Sequence, residues 1–310
     1  MDIEKMLTLV EERLSRCKIL VTGDVMLDKY YYGEVTRISP EAPVPINHIT
    51  RQKETLGGAA NVAHNLALLG CDTLLAGFVG EDYHCRSLKE KLVENGIDHA
   101  GLVPTNRPTT TKMRIIGGHQ QMMRIDFEST EPLEKIYIDK FLAFVRCKLA
   151  ESIDAIVVSD YAKGTCSEVT TTAIIEAAHA HGVPVIIDPK GANWTKYCGA
   201  DYITPNVKEI NEILIDPIRN TDAEALKAAH YIMRKYRIKN VLATRSENGV
   251  TLVREGEELH IPTRAQEVFD VSGAGDTVIA VLAAGLAGGL KGRDAAFLAN
   301  LAASVVVRKL

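Results

Sequence analysis

The stretch IDAIVVSDYAKGTCSEVTTTAIIEAAHAHGVPVIID (residues 153–188) decides the fold class. Two short, β-branched apolar runs, at 153–159 and 183–188, lie on either side of a helical pattern at 169–181. Near-continuous apolar runs of this length are typical of parallel strands that are buried on both faces. A helix between two such strands indicates a strand–helix–strand unit, so the stretch predicts an α/β fold.

The same alternation continues in both directions along the chain. Further strands are predicted at 17–22, 73–78, 202–204 and 240–244, and further helices at 61–69, 87–95 and 221–236. There is no internal repeat and no low-complexity linker in the 310 residues. We therefore predict one domain over 1–310, with a mainly parallel central sheet and helices on both faces.

Two segments break this alternation. Residues 29–50 (KYYYGEVTRISPEAPVPINHIT) and 109–128 (TTTKMRIIGGHQQMMRIDFE) have the pattern of antiparallel strands, the second one around a Gly117-Gly118-His119 turn. We interpret them as a small β-sheet lid that grows out of the α/β body. An exposed ribbon is costly alone, so we expect it to cover a ligand, to pair with a second subunit, or both.

Composition limits the classes of function. Hydrophobic residues make up 46% and charged residues 25%, which is the balance of a soluble globular protein. With 36 basic and 40 acidic residues, the net charge of -4 provides no concentrated positive field for nucleic acid. Six scattered cysteines without a CxxC pair indicate reduced thiols, and no apolar run approaches a membrane span. We expect a cytoplasmic protein with no nucleic-acid or membrane partner, whose residues 1–18 form a short amphipathic helix rather than a signal peptide.

The strongest local motif is DVSGAGD (270–276), which precedes the apolar helical stretch TVIAVLAAGL (277–286). Glycines before a helix leave backbone N–H groups free to converge on an anion, and the helix dipole adds positive charge there. Asp276 lies in the first turn, where a carboxylate would repel a transferring phosphate. A carboxylate at this position is explained if Asp276 deprotonates an attacking hydroxyl. The structural alternative is a plain helix start whose acid complements the dipole.

Two further motifs offer groups for sugar hydroxyls. GGAAN (57–61) opens another helix, where Gly57 and Gly58 allow close approach and Asn61 offers both a donor and an acceptor. GDVMLD (23–28) places Asp24 and Asp28 after a strand, where α/β sheets bind ligands. An ordinary glycine turn explains the first motif equally well, and a turn with a helix cap explains the second.

Phosphate and metal ligands are predicted at other strand ends. Lys163 in SDYAKG, and Asp188 and Lys190 in DPKG, follow buried strands, so the lysines are placed to pair with phosphate unless they are plain surface charges. Asn206 and Glu209 share one helix face and offer oxygens for a hydrated Mg²⁺, or form only a capping pattern. The turn TRSENG (244–249) contacts nucleotide phosphates or simply connects two elements. The nine histidines show no HExxH pattern, so we predict no histidine metal site.

In this order along one chain, these motifs resemble the ribokinase-like (PfkB) carbohydrate kinase family. The resemblance covers residues 15–310 and rests on Gly23-Asp24, the glycine motif at 57–61, the NxxE motif at 206–209 and a DTxGAGD-type motif at 270–276. Val271 departs from the commoner Thr of that last motif, which removes a hydroxyl but no backbone group. The resemblance implies a ribokinase-like fold, ATP as phosphoryl donor, Mg²⁺ and a homodimer formed through the lid.

The resemblance also implies a role for individual residues. Asp276 would be the general base, and the backbone N–H groups of Gly273, Ala274 and Gly275 the anion hole. The sugar phosphate would be bound by Asp24, Gly57, Gly58, Asn61, Lys163, Asp188 and Lys190. The nucleotide would be bound by Asn206, Glu209, Thr244, Ser246, Gly249 and Asn300. Asn206 and Glu209 would also organise Mg²⁺ through water. Kinases of this family often use a monovalent cation, for which Asp270 and its neighbours would be the place.

Within the family, residues 23–45, 159–164, 188–191 and 265–278 look like those of the D-glycero-β-D-manno-heptose-7-phosphate kinases. This similarity implies ATP-dependent phosphorylation of the anomeric hydroxyl to give heptose 1,7-bisphosphate, in ADP-heptose synthesis for lipopolysaccharide. Lys163 and Lys190 would bind the phosphate that the sugar already carries, with the lid cations Arg37, Lys112, Arg114 and Arg124 as a wider pool. Such kinases occur alone or as the N-terminal half of a bifunctional kinase/nucleotidyltransferase, and the abrupt end VVVRKL fits the second case. The alternatives are another sugar kinase, such as a fructokinase or ribokinase, and a binding protein that regulates without catalysis.

Overall fold

Two sheets organise the chain in the computed structural model, which describes residues 6, 8, 12–263 and 273–308. The strands are β1 (Lys18–Gly23), β2 (Val25–Ile38), β3 (Pro45–Gly58), β4 (Asp72–Gly80), β5 (Asp98–Thr105), β6 (Thr111–Gly117), β7 (Gln120–Phe127), β8 (Ala155–Ser159), β9 (Val185–Asp188), β10 (Tyr202–Ile203), β11 (Asn240–Thr244), β12 (Val250–Arg254) and β13 (Glu257–Ile261). The helices are α1 (Ala59–Leu68), α2 (Tyr83–Glu94), α3 (Lys135–Ala150), α4 (Glu168–Ala180), α5 (Val207–Ile213), α6 (Asp222–Tyr236), α7 (Ala274–Ala287) and α8 (Gly292–Val306). Short 3₁₀ turns lie at Leu14–Arg16, Thr195–Tyr197 and Ser246–Asn248.

The large sheet has the strand order β13-β12-β11-β10-β9-β8-β1-β4-β5, parallel from β5 to β11 and antiparallel at β12 and β13. On β1, Leu20 packs into one apolar core and Val21 into the core on the opposite face. Helices α1, α2, α7 and α8 cover the Val21 face, and α3, α4 and α6 cover the Leu20 face. Burial on both faces explains the continuous apolar runs of the strands, and it confirms the predicted α/β class.

The small sheet has the order β3-β2-β6-β7. Strands β2 and β3 pair antiparallel, as do β6 and β7, whereas β2 and β6 are parallel. Strands β2 and β3 are longer than the segment predicted at 29–50. Strand β2 starts at Val25, two residues after β1 ends, and β3 continues to Gly58. The base of the small sheet therefore lies at the carboxyl end of β1, and β3 leads directly into α1.

Several elements of the described residues were not predicted from the sequence, namely β5, α3, β12, β13 and α8. Half of the helix predicted over 1–18 falls outside the described residues, and within the described half Leu14–Arg16 form a 3₁₀ turn and Lys18 begins β1. No helix in the described part of the chain is both long enough and apolar enough to cross a membrane.

Candidate active site

A cleft opens at the carboxyl ends of the parallel strands, where open α/β sheets bind ligands. We call it the main cleft. Its lining residues come from the loops after β8, β9, β10 and β11 and from the start of α7; they are Asp160, Tyr161, Asp188, Pro189, Lys190, Thr204, Asn206, Glu209, Thr244, Gly273, Gly275 and Asp276. Predicted site residues up to 88 positions apart (188 to 276) thus meet in one place.

Asp276 lies at the N-terminal end of α7, with only 6% of its surface exposed. Gly273 precedes the helix in the left-handed conformation, with φ +75°, and the first N–H groups of a helix have no intrahelical acceptor. One carboxylate oxygen of Asp276 accepts a hydrogen bond of 2.6 Å from the hydroxyl of Tyr161, and the other accepts one of 2.6 Å from the amide of Asn61. Burial raises the pKa of Asp276, while these two hydrogen bonds lower it. The arrangement suits a positioned proton acceptor beside an anion hole.

Tyr161 is a site residue that the sequence prediction missed, although it stands in the SDYAKG motif. Burial and the charge of Asp276 raise the pKa of Tyr161, so its hydroxyl keeps its proton and donates to the carboxylate. The Lys112 ammonium lies 5.6 Å from the centre of the Tyr161 ring. No sequence signal marks this role, because the partners Tyr161 and Asp276 are 115 residues apart.

Asp24 organises the loop after β8 and is less available to a sugar than the sequence predicts. It is buried, and its carboxylate accepts backbone N–H bonds from Tyr161 (2.8 Å), Lys163 (2.9 Å) and Thr165 (3.0 Å). Three of the roughly four lone-pair sites of the carboxylate are thereby used. These bonds give Asp24 a role in positioning the SDYAKG loop and Thr165 after it, and its predicted contact with the sugar stays a prediction.

Gly57 and Gly58 end strand β3, and their lack of side chains lets the chain pass close to residues 24–28 before α1 begins. Gly58 has φ +54°, and a Cβ there would collide with the carbonyl oxygen of Asp24. A Cβ at Gly57 would collide with the carboxylate of Asp28, which is itself paired with Arg114. Both glycines are therefore required by close packing, and they bring Asn61 of α1 to Asp276.

The NxxE motif forms a capping box at the start of α5. The Asn206 side-chain oxygen accepts from the Glu209 N–H (2.9 Å), and a Glu209 carboxylate oxygen accepts from the Asn206 N–H (3.0 Å). The other oxygen of Glu209 lies 3.0 Å from the Lys190 ammonium. Lys190 thus lies in the main cleft beside Glu209, whereas Lys163 is not among the described residues that line this cleft.

A divalent cation fits the acidic side of the main cleft as a hydrated ion. Burial, with the nearby charges of Glu209 and Asp276, raises the pKa of Asp188 well above its usual range. Carboxylates crowded in this way favour a bound cation. Among the described residues no three His, Cys, Asp or Glu side chains are arranged to hold a metal directly. Mg²⁺ keeps several of its waters and needs few protein ligands, so these residues fit a water-mediated site. The place predicted for a monovalent cation, at Asp270, lies outside the described residues.

The other residues that the sequence predicts to bind the nucleotide divide into two groups. Thr244 lines the main cleft. Ser246, Gly249 and Asn300 are not among its described lining residues. Gly249 (φ +73°) closes the turn from β11 to β12, where a Cβ would strike the Ile261 carbonyl. The Asn300 amide donates to the Pro262 carbonyl at 2.9 Å and so ties α8 to the end of β13. For these two residues the structure shows backbone and packing roles.

The cations predicted for the substrate phosphate are dispersed. Lys163 pairs with Glu128 at 2.7 Å and lines a second cavity, at the base of the small sheet, that does not contain Lys190. Arg37 is exposed towards the end of β2. The other cations of the pool have these neighbours: Asp28 for Arg114, Asp126 for Arg124 and the ring of Tyr161 for Lys112.

Comparison with known proteins gives the same family as the motifs. The model of the pfkB family of carbohydrate kinases matches residues 17–310. The "D-beta-D-heptose 7-phosphate kinase" of Bordetella bronchiseptica is 44% identical over 299 residues, which cover 96% of this chain and 93% of that protein. The "Bifunctional protein HldE" of Pectobacterium atrosepticum is 46% identical over 293 residues, or 94% of this chain. The chain spans only 60% of the length of that bifunctional relative.

Solved structures give the same fold. The ribokinase of Thermotoga maritima aligns over 95% of this chain and 94% of its own, with a TM-score of 0.71 and 24% identity. The ribokinase of Arabidopsis thaliana, solved with ribose and ATP, aligns over 94% of this chain and 93% of its own, with a TM-score of 0.73 and 22% identity. These likenesses confirm the predicted ribokinase-like fold. Since the family model covers nearly the whole chain and the relatives share more than two fifths of its residues, the chain belongs to the pfkB family of carbohydrate kinases.

Proposed function

We propose that this sugar kinase transfers the γ-phosphoryl group of ATP to the anomeric hydroxyl of D-glycero-β-D-manno-heptose 7-phosphate, giving heptose 1,7-bisphosphate. The observation that carries the chemistry is the buried Asp276 carboxylate, held by Tyr161 and Asn61 at the N-terminal end of α7. The substrate is supported by the relatives named as heptose 7-phosphate kinase and HldE. This activity would serve ADP-heptose and lipopolysaccharide synthesis.

In the proposed reaction, Asp276 accepts the proton of the anomeric hydroxyl as that oxygen attacks the γ-phosphorus. The bond from the γ-phosphorus to the bridging oxygen breaks, and ADP leaves with the bonding electrons. Backbone N–H groups of Gly273, Ala274 and Gly275 stabilise the negative charge on the transferring group. Asp276 afterwards releases its proton to solvent. A carboxylate whose pKa is raised by burial is a stronger base than an exposed one, which favours this step.

ATP would occupy the main cleft with its phosphates directed towards α7. Lys190 and Thr244 lie on the same wall as Asn206 and Glu209, so they are placed to contact the nucleotide. Mg²⁺ would be held through water by Asn206, Glu209 and Asp188. When bound, the ion supplies charge neutralisation on the phosphates.

The sugar would lie between Asn61, Tyr161 and the base of the small sheet, which we interpret as a lid. Exposed apolar side chains on that sheet support a homodimer formed through it; they include Val35, Ile38, Met122, Met123, Ile125 and Phe127. Pairing of such faces removes apolar surface from water and protects the edge strands β3 and β7.

A coupled ADP-release assay with Mg-ATP tests the substrate. Heptose 7-phosphate is compared with fructose, ribose and fructose 6-phosphate at equal concentrations. We expect turnover to be confined to the heptose phosphate. Turnover on fructose or ribose would retain the kinase but contradict the substrate. Silence on all four with intact ATP binding would favour a binding protein without catalysis.

A further inference from the structure

The second cavity contains an arginine that has one buried guanidinium nitrogen without a hydrogen-bond partner in the described structure. The cavity lies beneath the small sheet, and Arg107 enters it from the segment after β5. One guanidinium nitrogen, Nη1, donates to the Lys163 carbonyl at 3.2 Å. The other, Nη2, is fully buried and has no hydrogen-bond partner within the described structure. Burying a cationic donor without an acceptor is costly, so the site favours a ligand that supplies one.

The polar surroundings of Arg107 suit an anion. Lys163, which pairs with Glu128 at 2.7 Å, adds a second cation. The lining also includes four hydroxyl side chains, Thr105, Thr110, Thr165 and Ser129, and four apolar residues, Val25, Phe78, Val79 and Pro108. The cavity also holds the Asp24 carboxylate, but its oxygens already accept backbone N–H bonds from residues 161, 163 and 165. A phosphate monoester matches the planar guanidinium fork, which binds two oxygens at once.

The loop after β8 connects this cavity to the proton acceptor. Its Tyr161 hydroxyl donates to Asp276, whereas two residues later Lys163 contacts Arg107 through its carbonyl. Gly164 has φ +100°, and a Cβ there would lie 3.0 Å from Arg107 Nη1, so the loop is shaped to let the guanidinium approach. The backbone N–H groups of Tyr161 and Lys163 both donate to one carboxylate oxygen of Asp24, so a single tight turn, with Ala162 at φ +56°, links the two cavities. A sugar phosphate with its reacting hydroxyl at Asp276 and its ester group at Arg107 would lie along this turn.

We propose that Arg107, together with Lys163, binds the phosphate ester that the acceptor sugar already carries. This inference rests on the proposed function and assigns it a substrate-phosphate subsite. It replaces the pair of Lys163 and Lys190, because Lys190 lies in the other cavity beside Glu209. The kinase then distinguishes phosphorylated from unphosphorylated sugars mainly through Arg107.

Steady-state kinetics on two sugars test the subsite. Wild type, Arg107→Ala and Arg107→Lys are compared on heptose 7-phosphate and on the unphosphorylated heptose, with Arg146→Ala on the exposed face of α3 as control. For Arg107→Ala we expect kcat/KM on the phosphorylated sugar to fall about 10- to 100-fold through KM, the size of one charge-assisted hydrogen bond. On the unphosphorylated sugar we expect a change below about twofold, and Arg107→Lys should recover part of the loss. Equal losses on both sugars, or no loss on either, would overturn the subsite.

A binding measurement separates failure of the subsite from failure of the proposed function. Thermal melting is followed during titration with inorganic phosphate, while a non-hydrolysable ATP analogue and Mg²⁺ occupy the main cleft. We expect phosphate to raise the Tm of wild type and of Arg146→Ala, but not that of Arg107→Ala. This result would support the subsite even if wild type proved inactive on the heptose phosphate. A rise of equal size in Arg107→Ala, or none in wild type, would contradict it.

Discussion

Two neighbouring side chains, Tyr161 and Asn61, hold the carboxylate of Asp276 in one orientation. Both donate hydrogen bonds, so both favour the ionised form that a proton acceptor needs. Burial acts in the opposite direction and raises the pKa of Asp276. The balance of these effects sets the pH at which the base is available.

Tyr161→Phe removes one of the two hydrogen bonds that lower the pKa of Asp276. The pKa should therefore rise, and the acidic limb of the kcat/KM profile should move to higher pH. We also expect kcat at neutral pH to fall about 3- to 10-fold, roughly the loss of one hydrogen bond. The measurement is the pH dependence of kcat/KM, with Tyr231→Phe on α6 as control. An unshifted acidic limb would contradict the positioning role of Tyr161.

Gly58→Ala tests the junction between the small sheet and α1. Gly58 and Gly96 both have positive φ, but a Cβ at Gly96 meets open space, whereas one at Gly58 collides with the Asp24 carbonyl. Gly96→Ala should cost only the conformational strain of about 1 kcal/mol. We expect Gly58→Ala to cost clearly more in urea unfolding, and to lower kcat by displacing Asn61. Equal destabilisation by the two substitutions would disprove the steric argument.

At the scale of elements, one carboxylate fixes the loop after β8. Asp24 accepts three backbone N–H bonds from this loop, which carries Tyr161 at one end and Lys163 near the other. If Asp24 only contacted the sugar, its substitution would leave the stability of the protein nearly unchanged. If Asp24 positions the loop, its substitution should lower that stability.

Asp24→Asn replaces one accepting oxygen by an NH₂ group that faces backbone donors. We expect a loss of about 2–4 kcal/mol in the free energy of unfolding, since buried charged hydrogen bonds are broken. Asp98→Asn is the matched control, because Asp98 accepts a single exposed N–H bond, from Ala100. The measurement is the free energy of unfolding of both variants by chemical denaturation. A stable Asp24→Asn protein with only a raised KM for sugar would contradict the positioning role and favour the predicted sugar contact alone.

Strands buried on both faces were predictable because their apolar runs are continuous, as at 153–159 and 240–244. Strand β5 was missed because its sequence, DHAGLVPT, contains a charge, a glycine and a proline and lies at the edge of the sheet. The motif that contains Asp276 and the glycine motif at 57–61 were recognisable from local sequence. The hydrogen bond from Tyr161 to Asp276 and the position of Arg107 were not, since both depend on pairing between distant strands.

At the scale of the whole molecule, the small sheet presents apolar side chains on its outer strand. Met123 of β7 is 58% exposed. Met123→Lys should convert the proposed homodimer into a monomer, because a charge would be buried at the interface. Light scattering after size exclusion gives the mass directly. Leu68→Lys, at a 72% exposed site at the end of α1, should remain dimeric. A monomeric wild type, or a dimeric Met123→Lys, would contradict pairing through this sheet.

The most direct test of the central claim is the turnover of Asp276→Asn. Asparagine preserves the shape of the side chain but cannot accept the proton of the sugar hydroxyl. We predict that kcat falls by about 10²–10⁴, while ATP binding measured by calorimetry stays within a few-fold of wild type. Asp139→Asn, exposed on α3, should match wild type in both measurements. Turnover of Asp276→Asn within a few-fold of wild type would contradict the assignment of Asp276 as the base.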